Sequence, residues 1–474
     1  MLTSTLFLLN LNAQHSTIDY NLNDYQLPDL KRHELEFNLD VSGYLDSRIQ
    51  KQENDDPIES NRQSIYSGFS PYYSYYLNTK KFQLNHYISA NLPNLQYYSS
   101  ESNTSNYTTF NLNPSLDYSG EFREYLKSKF FLEQNVSLEI GTRNNRNFTE
   151  YLDDTIGVDH DLTEEVVTQN IDISLPVLVG WGRIERVEDA RLAVYILDDL
   201  NKAGQLAHEV TKDDIEVLAR EISKVRNERF FDSRLKKIWE LKQIDSLLMV
   251  MGLIDTGNIT YYTLLNDNWD YSNGPDRQSG FRISAGASPK FNRSNYELSE
   301  DYNYYSPDTS TSYQMQQKNR DIGGSLLFRI NYEKPLNLYW QLSARNEFTA
   351  SKSFSRDIEN YNDNEDTLLS DVIGLNNRVY ASIGYYPNSR TTMNLFVEET
   401  IQYWKTMPEE GENTKETQLI SRFGINIDYY ISPRIRLDLY SSLEHIVDKI
   451  SFITDYSSND FYYSFGVSLV YKLL

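Results

Sequence analysis

The C-terminal stretch FYYSFGVSLVYKLL, residues 461–474, has a strict period of two. Phe461, Tyr463, Phe465, Val467, Leu469, Tyr471 and Leu473 form one row, and Ser464, Gly466, Ser468 and Lys472 the other. A β-strand sends successive side chains to opposite faces, so this pattern predicts a strand that is apolar on one side only. Residues 281–291 repeat it, with Phe281, Ile283, Ala285, Ala287 and Phe291 set against Arg282, Ser284, Ser288 and Lys290. Residues 336–350 do so again, with Leu336, Leu338, Trp340, Leu342, Ala344 and Phe348 opposed by Tyr339, Gln341, Ser343, Arg345 and Glu347. These segments exceed the usual globular strand and suit one that crosses a bilayer at a tilt.

The connections alternate in length. Short ones fall at 77–81, 119–124, 333–335, 387–390 and 432–434, several of them just after Tyr pairs (Tyr75-Tyr76, Tyr385-Tyr386, Tyr429-Tyr430). Long ones, rich in Asn, Asp, Ser and Glu, fall near 47–61, 98–106, 143–163, 293–312, 355–371 and 406–415. Short turns at one end and long polar loops at the other predict an all-β transmembrane barrel of the outer membrane, with periplasmic turns and extracellular loops. The spacing predicts about fourteen antiparallel strands, six in residues 33–183 and eight in 276–474, with both chain ends on the short-turn side.

Composition agrees. Mean hydropathy is -0.60, yet aromatics make up 14% of the chain, with 38 Tyr against 5 Trp. A polar, Tyr-rich chain fits a barrel with a wet interior and aromatic girdles. No run of about 20 apolar residues is present to make a spanning helix. The absence of Cys rules out disulfide and thiol chemistry, and a net charge of -23 argues against nucleic acid as a partner. The first fourteen residues, MLTSTLFLLNLNAQ, read as the end of a secretory signal peptide, followed by an N-terminal periplasmic segment over 15–32.

One block breaks the period. From Val187 the apolar residues Ala190, Ala193, Val194, Leu197 and Leu200 follow helical spacing, and two more amphipathic helices are predicted after it, one opening at Thr211 and one carrying Leu235, Ile238, Trp239, Leu241 and Leu248. Residues 184–275 are therefore expected to be a helical domain that replaces a periplasmic turn, and to be modular enough to remove. Residues 183–248 hold 13 basic and 14 acidic residues, so the chain's acidity belongs to the strands and loops.

The strand pattern, the Asn12-Ala13-Gln14 ending of the leader and the closing Val470–Leu474 together resemble the porin-like outer-membrane β-barrels of Gram-negative Bacteroidota. Such barrels often end in an aromatic residue, whereas this sequence ends in Leu474. The fourteen-stranded fatty-acid transporters share the strand number, but their N-terminal plug has no match here and the helical block departs from them. The resemblance implies a bacterial outer-membrane location, contact with outer-membrane lipids and passage of solutes.

Chemistry-bearing constellations are sparse. His86 aligns with Phe82, Leu84 and Ile88, and His445 with Leu437, Leu439 and Leu443, both on the lipid side and without an evident Ser partner. Asn360–Asp366 is rich in oxygen ligands but lacks the Gly and distal Glu of a calcium loop. No enzyme activity, metal or cofactor is expected. The expected interior is more informative. Parity puts Arg282, Arg329, Arg345, Arg378, Arg422 and Arg436 inside on the later strands, and mainly acids on the earlier ones, among them Glu34, Glu36, Asp40, Glu133, Asp117 and Asp172. Two facing arcs of opposite charge predict either a pore with a transverse field, selective for small polar solutes, or a salt-bridged interior without conduction. In the helical block, Arg226, Arg229, Arg234, Lys236 and Lys237 form a basic run. It is read as a surface for a periplasmic protein partner, as part of a plug under the pore, or as a solvated helix face. The alternative to a channel is a structural or scaffold subunit of an outer-membrane complex, docked through the helical block.

Overall fold

A computed structural model describes residues 16–50, 58–102, 105–127, 129–151, 160–228, 233–271, 277–305, 308–361, 364–433, 435–451 and 456–471. The leader expected over residues 1–14 lies outside the described residues. The first half of the chain forms β1 (Leu30–Gln50), β2 (Ile58–Asn78), β3 (Phe82–Ser102), β4 (Ser105–Leu112), β5 (Ser115–Lys127), β6 (Phe130–Tyr151), β7 (His160–Ser174) and β8 (Val177–Arg186). Four helices follow: α1 (Glu188–Lys202), α2 (Lys212–Arg226), α3 (Ser233–Val250) and α4 (Ile259–Asp270). The second half supplies β9 (Gln278–Tyr305), β10 (Asp308–Pro335), β11 (Trp340–Tyr361), β12 (Asn364–Tyr385), β13 (Thr391–Pro408), β14 (Thr414–Ser432), β15 (Ile435–Ser451) and β16 (Tyr456–Tyr471).

All these strands join one antiparallel sheet in chain order from β1 to β16. β4 and β5 both pair with β3 and β6, and β7 and β8 both pair with β6 and β9, so each couple is one crossing broken in the middle. The breaks fall at Asn113-Pro114 and Leu175-Pro176, because proline has no N–H to give the ladder. The proline carbonyls still take part: Pro114 O accepts from Thr142 N at 2.9 Å and Pro176 O from Asn135 N at 2.8 Å. Where β8 meets β9 near the helices, Gly182 and Gly280 take φ of +107° and +137°. A Cβ on either would fall about 2 Å from a carbonyl oxygen of the facing strand.

Strands run further than the sequence pattern suggests. Most of residues 98–106, 293–312 and 355–371, expected as long loops, are strand, and β9 and β10 each reach 28 residues. Where both faces meet water, alternation disappears while the backbone ladder continues, so polar composition alone hides such extensions. At the other end the expected strand at 336 starts late. Residues 336–339 form the β10–β11 turn, and Leu338 is buried against the helices.

The main apolar core lies in the helical block, while most apolar side chains of the sheet face outward and Phe131, Leu178 and Leu327 are buried on its other face. Ala190, Ala193, Val194, Ile196 and Leu197 of α1 pack with Ile215, Leu218, Ala219 and Ile222 of α2, Ile244 and Leu248 of α3, and Tyr261 and Leu265 of α4. Helix α4 lies beyond the three expected helices. Thr211 and Asp214 cap α2 reciprocally, and Asn258 caps α4. Tyr20, Leu22, Tyr25 and Leu27 of the N-terminal segment also enter this core. Thr17 N donates to Asp198 at 2.7 Å, Tyr25 Oη lies 3.0 Å from Ser223 Oγ, and Asn23 Nδ2 donates to Pro335 O at 2.9 Å. The segment before β1 is thus threaded through the helical block, which the helical periodicity of 184–275 could not disclose.

Candidate functional site

Strand register assigns every side chain to one of two faces. Pairing carries one face through Arg329↔Glu347↔Arg378↔Thr400, and the same parity includes Arg282, Arg345, Arg422 and Arg436. In the other direction it includes Glu133, Asp117 and Asp172, then Glu34, Glu36 and Asp40 of β1. All twelve candidate interior residues therefore share the polar face. The opposite face carries Phe37, Val179, Trp181, Leu326, Val379, Val397, Phe423 and Phe465, all exposed.

The polar face brings side chains of separated strands together. Arg329 on β10 lies 3.8 Å from Glu133 on β6, with β8 and β9 between them. In a flat sheet those strands would stand about 14 Å apart. The long arginine and glutamate side chains span that separation over the small residues Gly180 and Ser284, with Phe131 packed against Gly180.

The expected division into a basic arc and an acidic arc is not what the later strands present. Arg329 Nε donates to Glu347 at 2.6 Å, Arg345 Nη2 to Glu333 at 2.9 Å, Arg378 Nη2 to Glu398 at 2.6 Å, Arg422 Nε to Glu444 at 2.6 Å and Arg436 Nε to Asp438 at 2.6 Å. Glu398 also lies 3.6 Å from Arg422. The later strands thus carry a zigzag of ion pairs with little net field. Four of these pairs are cross-strand, where only pairing register reveals which acid an arginine meets, and Arg436–Asp438 lies within β15. On the earlier strands Arg123 and Glu133 pair at 2.6 Å, both almost fully buried. Asp117, Glu139 and Asp172 stand in register as a row of carboxylates.

The helical block sits against the short-turn end of the sheet, and the Tyr pairs show how. At each pair alternation sends one ring outward and its neighbour inward. Tyr385 faces outward beside Trp340, with ring centroids 4.4 Å apart, whereas the buried Tyr386 has the Arg277 guanidinium 4.9 Å from its ring and accepts from Tyr195 Oη at its carbonyl. Tyr76 takes Arg186 at 4.9 Å, and Tyr430 meets Tyr271 of the helical block at 6.1 Å. Arg390 of the β12–β13 turn donates to Asp267 at 2.7 Å and lies 4.3 Å from the Tyr271 ring.

Arg277 is the main fastener. Its side chain is fully buried and donates to Asn337 O at 2.9 Å, Trp340 O at 2.8 Å, Leu338 O and Gln341 Oε1. Burial, with Arg191 nearby, pulls its guanidinium down to about 10, so it stays charged at neutral pH. Nothing in the alternation marks this residue, because it precedes β9 and its partners are backbone carbonyls.

The basic run of the helical block is turned onto its own acids. Arg226 pairs with Asp189 at 3.1 Å, Lys237 with Asp270 at 2.5 Å and Lys236 with Glu240 at 3.7 Å. Arg229 lies outside the described residues, and Arg234 is placed only as the second residue of α3. Asp189 and Asp270 are distant in sequence, which hid the pairing. His86 Nδ1 lies 2.6 Å from Tyr118 Oη, and His445 Nε2 lies 2.7 Å from Asn459 Oδ1. Among the described residues no group of three or more potential ligands is arranged to hold a metal ion.

No family model matches this chain, and no curated protein matches it. Solved structures do. The TodX monoaromatic hydrocarbon channel deltaS2S3 mutant is 9% identical, with 91% of each chain covered and a TM-score of 0.30. The toluene transporter TodX of Pseudomonas putida is 8% identical, covering 94% of this chain and 91% of that one, with a TM-score of 0.27. OmpTdeltaL8, a loop L8 deletion mutant of an outer membrane protein of Vibrio cholerae, is 8% identical, covering 93% and 99%, with a TM-score of 0.17. These solved structures are thus a hydrocarbon channel, a toluene transporter and an outer membrane protein.

Proposed function

We propose that the chain closes as a fourteen-crossing β-barrel in the bacterial outer membrane and acts as a porin-like channel or transporter for small polar solutes, with its helical block in the periplasm. The inverted polarity of the sheet carries this reading. One side is studded with exposed apolar residues, whereas a soluble protein rarely exposes a contiguous apolar patch larger than a few hundred Å². The other side is lined by paired charges, the chemistry of a water-filled interior. Counting each proline-broken couple as one crossing brings the segments to fourteen, with Leu30 and Tyr471 at the same end. Among the described residues β1 and β16 end the strand order without pairing, and their outward side chains are the barest of the sheet, with Leu39 at 73% and Tyr463 at 70% exposure against 42% for Val379. Their mutual pairing completes the barrel and removes two costly open edges.

The expected localisation is tested by extraction. The mature chain should partition with outer membranes, need detergent and shift mobility on heating. Conduction is tested in a planar bilayer, where discrete conductance steps are expected, and a folded, inserted barrel that never conducts would refute the channel. A second reading, the scaffold subunit, draws on Val250 and Ile259, which are 85% and 82% exposed on the helical block. It predicts recovery of a periplasmic protein with the intact chain and its loss when those two residues become Ser. The reading assigns no catalytic role to the chain.

A further inference from the structure

The helical block covers the short-turn end unevenly. Toward β10–β14 it is sealed by Arg277, Tyr386 and the Arg390–Asp267 pair. Toward β1–β3 two cavities remain. One, of about 170 Å³, lies among Gln83, Glu121, Arg123 and Arg282 of the polar face and Glu185 and Gln278 beside the helices. The other, of about 390 Å³, lies between Arg32 at the base of β1 and Lys236, Lys237 and Trp269 of the helical block. Tyr76 and Arg186 line both, as a guanidinium–ring pair 4.9 Å apart.

We infer that solutes leave the interior along the β1–β3 side of the helical block, through a constriction at Arg186 and Tyr76, and that Arg282 at its entrance favours small solutes bearing a carboxylate or phosphate group. The inference rests on the channel reading and adds a route and a preference to it. Charge supports the preference. Lys236, Lys237 and Arg123 are each held by an acid, but Arg282 forms no ion pair among the described residues and faces the smaller cavity. The lining of the smaller cavity holds Arg123, Arg186 and Arg282 against Glu121 and Glu185, one positive charge in excess. The neighbouring ring admits the apolar part of such a solute while the guanidinium holds its charge.

The chain has no Cys, so single substitutions report cleanly on access. Arg186→Cys and Gln278→Cys are placed in the passage, and Asn388→Cys in the exposed β12–β13 turn on the sealed side. With the full chain in a planar bilayer, a negatively charged thiol reagent added at the short-turn side should cut the unitary current of either passage variant and leave Asn388→Cys unaffected. Gln278→Cys keeps the test alive should Arg186→Cys fail to fold, because only the Gln278 backbone carbonyl serves Gln341. Arg282→Gln should lower the anion-over-cation permeability ratio about threefold, the effect of one unit charge several ångströms away in a watery pore. Conductance that continues unchanged after modification at both passage positions would overturn the route, and an unchanged ratio in Arg282→Gln would overturn the preference. A chain that inserts without conducting would instead bring down the channel reading itself.

Discussion

Arg277→Lys should loosen the helical block more than Arg277→Met, although lysine preserves the charge. Arg277 serves three backbone carbonyls at once. Trp340 O also accepts from Leu336 N at 2.9 Å and keeps that bond, whereas Asn337 O and Leu338 O lose their guanidinium donor. Leaving the buried Leu338 acceptor and the part-buried Asn337 acceptor short costs about 1–4 kcal/mol. Against this stands the burial of the charge. The fall of its guanidinium to about 10 corresponds to about 3 kcal/mol spent on keeping the group charged inside. Methionine loses the bonds but relieves that cost. Lysine retains a buried charge beside Arg191, and its single nitrogen lacks the planar fork that reaches several carbonyls together. The lysine variant should therefore be the weaker by about 1–2 kcal/mol, which is about a 5- to 30-fold larger open population. Limited proteolysis of refolded protein in detergent reads that population when reclosing outpaces cleavage. Cleavage within residues 203–211 or 251–258 should rise from wild type to methionine to lysine. Equal or reversed rates for the two variants would show that the carbonyl contacts, and not the buried charge, set the strength of this fastener.

Other outcomes follow from the same geometry. Arg329→Glu, Arg345→Glu, Arg378→Glu and Arg422→Glu combined should shift reversal potentials toward cation selectivity, because each reversal leaves the partner acids uncompensated, and an unmoved reversal potential would exclude this face from the conduction path. Gly286→Val should abolish refolding measured by heat-dependent gel mobility, since a Cβ there would fall 1.9 Å from Val177 O, and a native-like yield would contradict the β8–β9 packing. Replacing residues 185–274 by a short turn should leave Leu22, Tyr25, Leu27 and Leu338 without cover, so the variant should aggregate unless residues 16–28 are also removed, as light scattering during refolding would show. Asp199→Asn should stabilise the helical block at neutral pH. Burial pushes the Asp199 carboxyl up, so its charged form weakens the folded state, and the gain should fade as pH falls through that raised value and both states become protonated.

The sequence by itself determined what repeats locally. Alternation at Phe281–Phe291 and along β16 settled which side chains share a face, because strand geometry leaves only two choices. The switch to helical spacing after Val187 located α1 for the same reason. Tertiary structure alone decided everything that depends on residues far apart in the chain meeting. It supplied Glu398 to both Arg378 and Arg422, turned Arg226 onto Asp189, and passed Tyr25 into a core otherwise made of helices. It also placed Arg277, whose neighbours are carbonyls common to every sequence, and it extended β9 and β10 through polar residues that carry no period. Periodicity records which face of an element is apolar, whereas ion pairs, backbone contacts and threading are set by register and packing, which no single segment of sequence contains.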